Sequence, residues 1–363
     1  MPRYFKIRDY EAKTRKRTLE RILDLRKVLS EKIPFTKPDS LLLATWNIKD
    51  FDSNFYKQGP RLDESYNYIA EIISRFDLVA VQEINRDLDP LRKLVWLLGN
   101  DWDFLVTSIT EGLSGNGERM AFLFNKKRVK FTNLSWQVIL PKSTMVTEEG
   151  LQFARAPYVV SFQAGWFKFN ICTVHIYFGE DSGEKLQRRI EEIEKIATHF
   201  KNLNKKETGD YILLGDFNIV SPQHQTMQAL EENGFKIPDI LKGFETNLGK
   251  NKFYDQIAFK QNDKRLEFGD AGVFDFRDAV CREEDYEDYF DYMKTEYRDF
   301  NFRGRGANRN APRTEEQKRN YYNKEWITWQ MSDHLLLWVE LKVDFTNDYL
   351  NSLMPGEAPL ADL

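Results

Sequence analysis

Apolar positions along this chain follow two rhythms. From Tyr10 to Ile33, Leu19, Ile22, Leu23, Leu29 and Ile33 recur at helical spacing and Pro34 follows, which predicts an amphipathic helix ahead of the main body. The body then alternates short apolar runs with helical stretches. Strands are expected at Leu41 to Ile48, Leu78 to Gln82, Met120 to Asn125, Tyr158 to Phe162, Phe167 to Thr173, Tyr211 to Gly215, Tyr254 to Phe259 and Leu335 to Leu341. Helices are marked by Ile69, Ile72, Ile73 and Phe76, by Leu91, Leu94, Val95 and Leu98, and by Leu186, Ile190, Ile193, Ala197 and Phe200. Such alternation predicts αβ layers over nearly the whole length.

Two runs echo each other. LLLATWNI ends in Trp46, Asn47 and Ile48, and YILLGDFNI ends in Phe217, Asn218 and Ile219. The shared aromatic-Asn-Ile ending predicts two sheets whose strand ends meet at one site. Residues 282–324 break the rhythm, being acidic and tyrosine-rich first and basic with glycine afterwards. They read as an insertion between the last two strands, either a solvated surface loop or a substrate-gripping one. The chain is thus expected to divide into a helical extension over 1–38, a main domain over 39–345 carrying an insertion at about 282–325, and a tail over 346–363.

Composition changes this picture little. In 363 residues, 41% hydrophobic content supplies a core and 30% charged content keeps the surface in water. Cys172 and Cys281 form neither a disulfide framework nor a zinc pattern, and both are expected as free thiols. No apolar stretch approaches a membrane span and MPRYFKIRDYEAKTRKR lacks a signal's apolar core, so a cytoplasmic protein without a membrane anchor is expected. A net charge of −4 excludes a uniformly basic coat but not a local patch. Lys13, Arg15, Lys16 and Arg17 on the first helix either solvate a face or touch phosphates.

The candidate chemistry lies at strand ends. Asn47, Glu83, His175, Asp216, Asn218, Asp255, Asp333 and His334 each close or follow an apolar run. Each alone is explained as a turn or cap residue; together they supply oxygen donors and proton carriers where a sandwich gathers strand ends. Cleaving a phosphodiester needs that set: a hard cation to offset charge, a base for water and an acid for the leaving oxygen.

The series Trp46-Asn47, Gln82-Glu83, Thr173-x-His175, Gly215 to Asn218, Asp255-x-Ile257 and Ser332 to His334 resembles the endonuclease/exonuclease/phosphatase superfamily. The resemblance spans Leu41 to Leu341. It implies an α/β (α+β) fold, a two-sheet β-sandwich flanked by helices in four αββα layers, with the site at one end of the sheets. By the same resemblance Glu83 is the principal metal ligand, with Asn47 and Asp333 nearby, and the cofactor is Mg2+ or Mn2+, one or two ions. Asp216 orients or deprotonates the water, Asn218 holds it or a phosphate oxygen, and His334 contacts the phosphate or acts as base, oriented by Asp255. Pancreatic-type deoxyribonucleases add a glutamate paired with a histidine as general acid; Glu118 in NGERMAFLF and His175 stand in those places. FARAPYVVSF resembles a deoxyribonuclease strand and implies a phosphate contact at Arg155; the alternative is that Arg155 merely pairs with a surface carboxylate. His199 and His224 match no motif and read as structural or solvated.

Three functions remain open at this point. Glu118, His175, Arg155, the basic residues Arg303, Arg305, Arg309 and Arg313 and interspersed aromatics favour a nuclease with DNA as substrate. An enzyme acting on inositol phosphates or phospholipid head groups is the alternative, and an inactive binding protein is the third. Protein partners are not indicated.

Overall fold

Along the chain the computed structural model runs α1 (Ala12–Lys32), β1 (Ser40–Phe51), α2 (Asp63–Ile73), β2 (Leu78–Ile84), α3 (Asp89–Leu98), β3 (Trp102–Val106), β4 (Arg119–Asn125) and β5 (Lys130–Gln137). There follow β6 (Tyr158–Ala164), β7 (Phe167–His175), α4 (Gly183–Leu203), β8 (Asp210–Asp216), α5 (Gln225–Glu231), β9 (Asp255–Lys260) and β10 (Phe268–Phe274). The last elements used here are α6 (Tyr286–Glu296), α7 (Glu315–Tyr321) and β11 (Leu336–Lys342). Residues 1–51, 57–110, 115–146, 150–203, 209–303 and 310–354 are described.

The strands build a six-stranded sheet, β10-β11-β1-β2-β4-β3, and a five-stranded sheet, β5-β6-β7-β8-β9. Each contains one parallel pair, β1 with β2 and β7 with β8, joined across α2 and α4 respectively. Helices flank both sheets, giving the αβ layers that the alternation predicts and the four-layer sandwich that the resemblance implies. Strand pleating sorts β1: Leu41 and Leu43 join a core shared with the second sheet, while Leu42, Ala44, Trp46 and Ile48 join the core under α1 and α2. Both faces are therefore covered, which is why β1 and β8 read as unbroken apolar runs.

Three strands escape the hydrophobic pattern, and all are sheet edges. β3 and β10 close the first sheet and β5 the second. An edge strand buries less: Lys130, Thr132, Asn133, Leu134 and Ser135 of β5 are all exposed or half-buried, and β10 carries Gly269 and Gly272.

Two other expectations need correction. On α1 the buried stripe is Ile22, Leu25 and Leu29, with Ile33 beyond it, whereas Leu19 and Leu23 are exposed. Arg17 is neither solvated nor free, because its guanidinium pairs with buried Glu64 and donates to the Asp288 carbonyl at 3.0 Å. The acidic tyrosine-rich run is not a surface loop. Tyr286, Tyr289 and Met293 form the buried face of α6, and with Tyr297, Phe300, Tyr321, Tyr322 and Trp326 they fill the core beside α1 and α2. Charge on the outer face of α6 masks that helical spacing. Of the basic half, Arg303 and Arg313 are described, and Arg305 and Arg309 lie outside the described residues.

Candidate active site

The two sheets meet at the ends of β1, β2, β7 and β8. Gln82 of β2 donates across the interface to Thr173 Oγ1 of β7 at 2.8 Å, and both side chains are fully buried. Gly215 of β8 has φ 131°, and a Cβ there would stand 2.1 Å from the Val174 carbonyl oxygen, so β7 and β8 close up only around glycine. Just beyond, Glu83 and Asn218 adopt left-handed backbone, φ 60° and 54°, which turns each strand end toward the cleft.

One corner is rich in oxygen. Asn47 Nδ2 donates to Glu83 Oε1 at 3.0 Å and to Asp216 Oδ2 at 3.1 Å, so the echoing strands β1 and β8 touch at their polar ends. The other Glu83 oxygen accepts from the Asp50 backbone N–H at 2.9 Å. Asn47 Oδ1 is buried and has no hydrogen-bond partner among the described residues. Burial raises the Glu83 carboxyl above its usual range, and the charges of Glu118 and Asp333 add to that rise. An orphan amide oxygen beside a destabilised carboxylate is what a hard divalent cation relieves. No group of three or more His, Cys, Asp or Glu among the described residues is arranged to hold a metal. Asp333 is near enough for its charge to act on Glu83, and its carboxylate, 44% exposed, lies 3.4 Å from Lys49 Nζ.

Two histidines face one carboxylate oxygen. His334 Nδ1 donates to Asp255 Oδ2 at 2.7 Å, and its Nε2 lies 3.7 Å from Asp216 Oδ2. His175 Nε2 lies 3.6 Å from the same Asp216 oxygen, with Nδ1 3.1 Å from Glu118 Oε2. His175 Nδ1 makes no hydrogen bond among the described residues, so Glu118 acts on the ring through its charge. Burial works against charge on His334, yet the carboxylates of Asp255 and Asp216 outweigh it and hold the ring well above its ordinary value. Burial likewise pushes Glu118 up, but His175 and Arg155 hold it well below the usual carboxylate range.

The remaining expected residues reach the cleft indirectly. Arg155 is buried with its guanidinium forked onto Glu118, Nη2 to Oε1 at 2.9 Å, so it pairs with a buried carboxylate rather than presenting a free phosphate contact. Asn218 spends its side-chain N–H on the Ile176 carbonyl at 2.8 Å and its backbone N–H on Asp216 Oδ1 at 2.8 Å. It shapes the turn that aims Asp216 and does not extend its amide nitrogen into the cleft. His224 caps α5, and His199 lies on α4, where burial lowers its pKa.

The Ser332 to His334 turn is locked onto β1: Ser332 Oγ donates to the Asn47 carbonyl at 2.6 Å and accepts from His334 N at 2.9 Å, and Trp46 Nε1 donates to the His334 carbonyl at 3.0 Å. Sequence reasoning missed three residues. Lys49 shares Asn47's face of β1 by the two-residue period and lies over Trp329 at 4.4 Å. Tyr254 lies beside the His334 ring, centroids 5.5 Å apart. Arg189, fully buried on α4, donates to the carbonyls of Phe178 and Asn218, the latter at 3.0 Å; a lone arginine in the stripe of Leu186, Ile190 and Ile193 was its signal.

A helix-flanked double sheet with His–carboxylate pairs beside an Asn–Glu corner defines a family. The chain belongs to the Endonuclease/Exonuclease/phosphatase family, whose profile matches residues 44–235. It is 27% identical over 261 residues to a deoxyribonuclease of Thioalkalivibrio sp. (strain K90mix); the match covers 67% of this chain and 64% of that protein's length. Its fold is similar to a mannosyl-6-phosphatase of Bacteroides thetaiotaomicron VPI-5482, at TM-score 0.53 and 17% identity over 83% of this chain and 99% of the other. The human Nocturnin catalytic domain is similar at TM-score 0.50 and 14% identity, covering 85% and 95%. No helix among the described residues is long and apolar enough to cross a membrane.

Proposed function

We propose that the protein is a divalent-metal-dependent phosphodiesterase that hydrolyses nucleic acid, DNA first, by attack of water. The observation that carries this reading is the pair of histidine Nε2 atoms, 3.6 and 3.7 Å from one oxygen of Asp216. A phosphorus seated between them has a proton carrier on either side. Asp216 takes the proton of the attacking water, while His334, whose protonated ring Asp255 and Asp216 stabilise, donates its Nε2 hydrogen to the phosphate. The ester bond to the leaving oxygen breaks as His175, steadied by Glu118, supplies that oxygen's proton. Glu83 and the free oxygen of Asn47 would hold Mg2+ or Mn2+, with Asp333 contributing charge; the ion would neutralise the phosphate. The deoxyribonuclease relative supports the substrate class, and residues filling every motif position argue against an inactive copy.

The test is parallel incubation of purified protein with magnesium or manganese on single- and double-stranded DNA, RNA, inositol phosphates and sphingomyelin, with Glu83→Gln as blank. DNA cleavage that disappears in the blank is the expected result. Release of phosphate or choline from the lipid and inositol substrates, with nucleic acid intact, overturns the reading in favour of the head-group enzyme.

A further inference from the structure

A groove of about 730 Å³ opens directly from His334 and Asp333. That volume falls within the about 300–1,000 Å³ of ligand sites. Its far walls come from residues 277–284 and 323–328. A substrate strand that runs past His334 on this side enters the groove.

The charges in the walls differ in availability. Arg282 is consumed: it pairs with Glu284 at 3.3 Å, Asp285 at 3.6 Å and Asp24 of α1 at 3.8 Å, and so braces the wall against the N-terminal helix. Arg277 and Lys250 instead share one carboxylate, Asp275, at 2.7 and 2.9 Å, which leaves one positive charge in excess. On the other wall Lys324 is exposed, is not held in an ion pair among the described residues, and also lines a second cavity with Arg303 and Arg313. Glu283 also lines the groove, yet Arg277 and Lys324 offer cationic points from its two walls, and the Asn323 amide and Tyr254 ring in the same lining add a polar and a stacking group, a set that suits a phosphate and its nucleoside.

Resting on the nuclease reading, we propose that this groove binds the next phosphate of the substrate strand, through the Arg277–Lys250 pair and Lys324. The site thereby prefers a polyphosphodiester chain to an isolated phosphodiester. The test compares wild type with the double variant Lys250→Asn, Lys324→Ala; asparagine tolerates the left-handed backbone at Lys250, φ 50°. Kinetics are read on a single-stranded DNA oligonucleotide and on bis(p-nitrophenyl) phosphate, which lacks a second phosphate. The expected result is a KM increase of about tenfold on the oligonucleotide, well beyond any change on the small diester. A log–log salt dependence of oligonucleotide binding flatter by roughly 0.7 per lost contact should accompany it. Equal effects on both substrates, or an unchanged salt slope, overturn the groove proposal while leaving the nuclease reading intact. A wild type that cleaves the small diester but no oligonucleotide overturns both.

Discussion

Replacing Asp255 by asparagine removes one oxygen's charge and tests the site's geometry. His334 Nδ1 donates to Asp255 Oδ2 at 2.7 Å, and both side chains are buried. A carboxylate only accepts, so it fixes the proton on Nδ1 and leaves Nε2 toward Asp216. An amide can instead turn its N–H toward Nδ1, which leaves the ring neutral with its one proton on Nε2. It also removes a charge that stabilises the protonated ring. A charged donor to the transition state is worth about 10²–10³ in rate, so Asp255→Asn should cut kcat by that factor, about 3–4 kcal/mol in activation free energy. Oligonucleotide affinity should change little, since Asp255 is fully buried and touches no substrate. Single-turnover cleavage under saturating enzyme reads kcat, and fluorescence anisotropy reads binding. A kcat within threefold of wild type would refute the assignment of His334 as the charged donor to the phosphate.

Other consequences follow from named contacts. Glu118→Gln leaves buried Arg155 without its partner, at a cost of about 3–5 kcal/mol read as a lower urea midpoint, and cuts turnover by about 10²-fold or more through His175. Trp326→Ala, inside the core built by the tyrosine-rich segment, should cost about 3–5 kcal/mol in the same assay; a surface loop would lose nearly nothing. Burial raises the Asp275 carboxyl, but Arg277 and Lys250 outweigh it and hold its pKa below the usual value. Its stabilisation is therefore complete above the unfolded value of about 3.9 and is lost as pH falls through the lower folded value. Asp275→Asn should be less stable than wild type at neutral pH, with the gap closing below about pH 4 in urea titrations.

What the chain discloses before folding depends on burial. β1 and β8 are covered on both faces and so are written as continuous apolar runs, and their polar ends, Asn47 and Asp216, come together as their echo predicts. β3, β5 and β10 are edges, and their mixed pattern hides them. The tyrosines at 286 and 289 carried a helical spacing, but the acidic residues between them dominate any reading by charge. At the site, residue identity was legible and orientation was not. Arg155 and Asn218 turn inward because Glu118 and the Ile176 carbonyl await them, and partners so far apart in sequence leave no trace in local spacing. Asp333 likewise turns to Lys49, which the motifs do not include.

The most direct test of a cation-dependent hydrolytic centre at Asn47 and Glu83 is calorimetric titration of Mn2+ into wild type, Glu83→Gln and Asn47→Leu, paired with hydrolysis of bis(p-nitrophenyl) phosphate on the same samples. Saturable Mn2+ binding that weakens about tenfold or more in each variant, with hydrolysis falling alongside it, is the expected result. Equal Mn2+ affinity in all three proteins, or hydrolysis that persists in the presence of chelator, would contradict it.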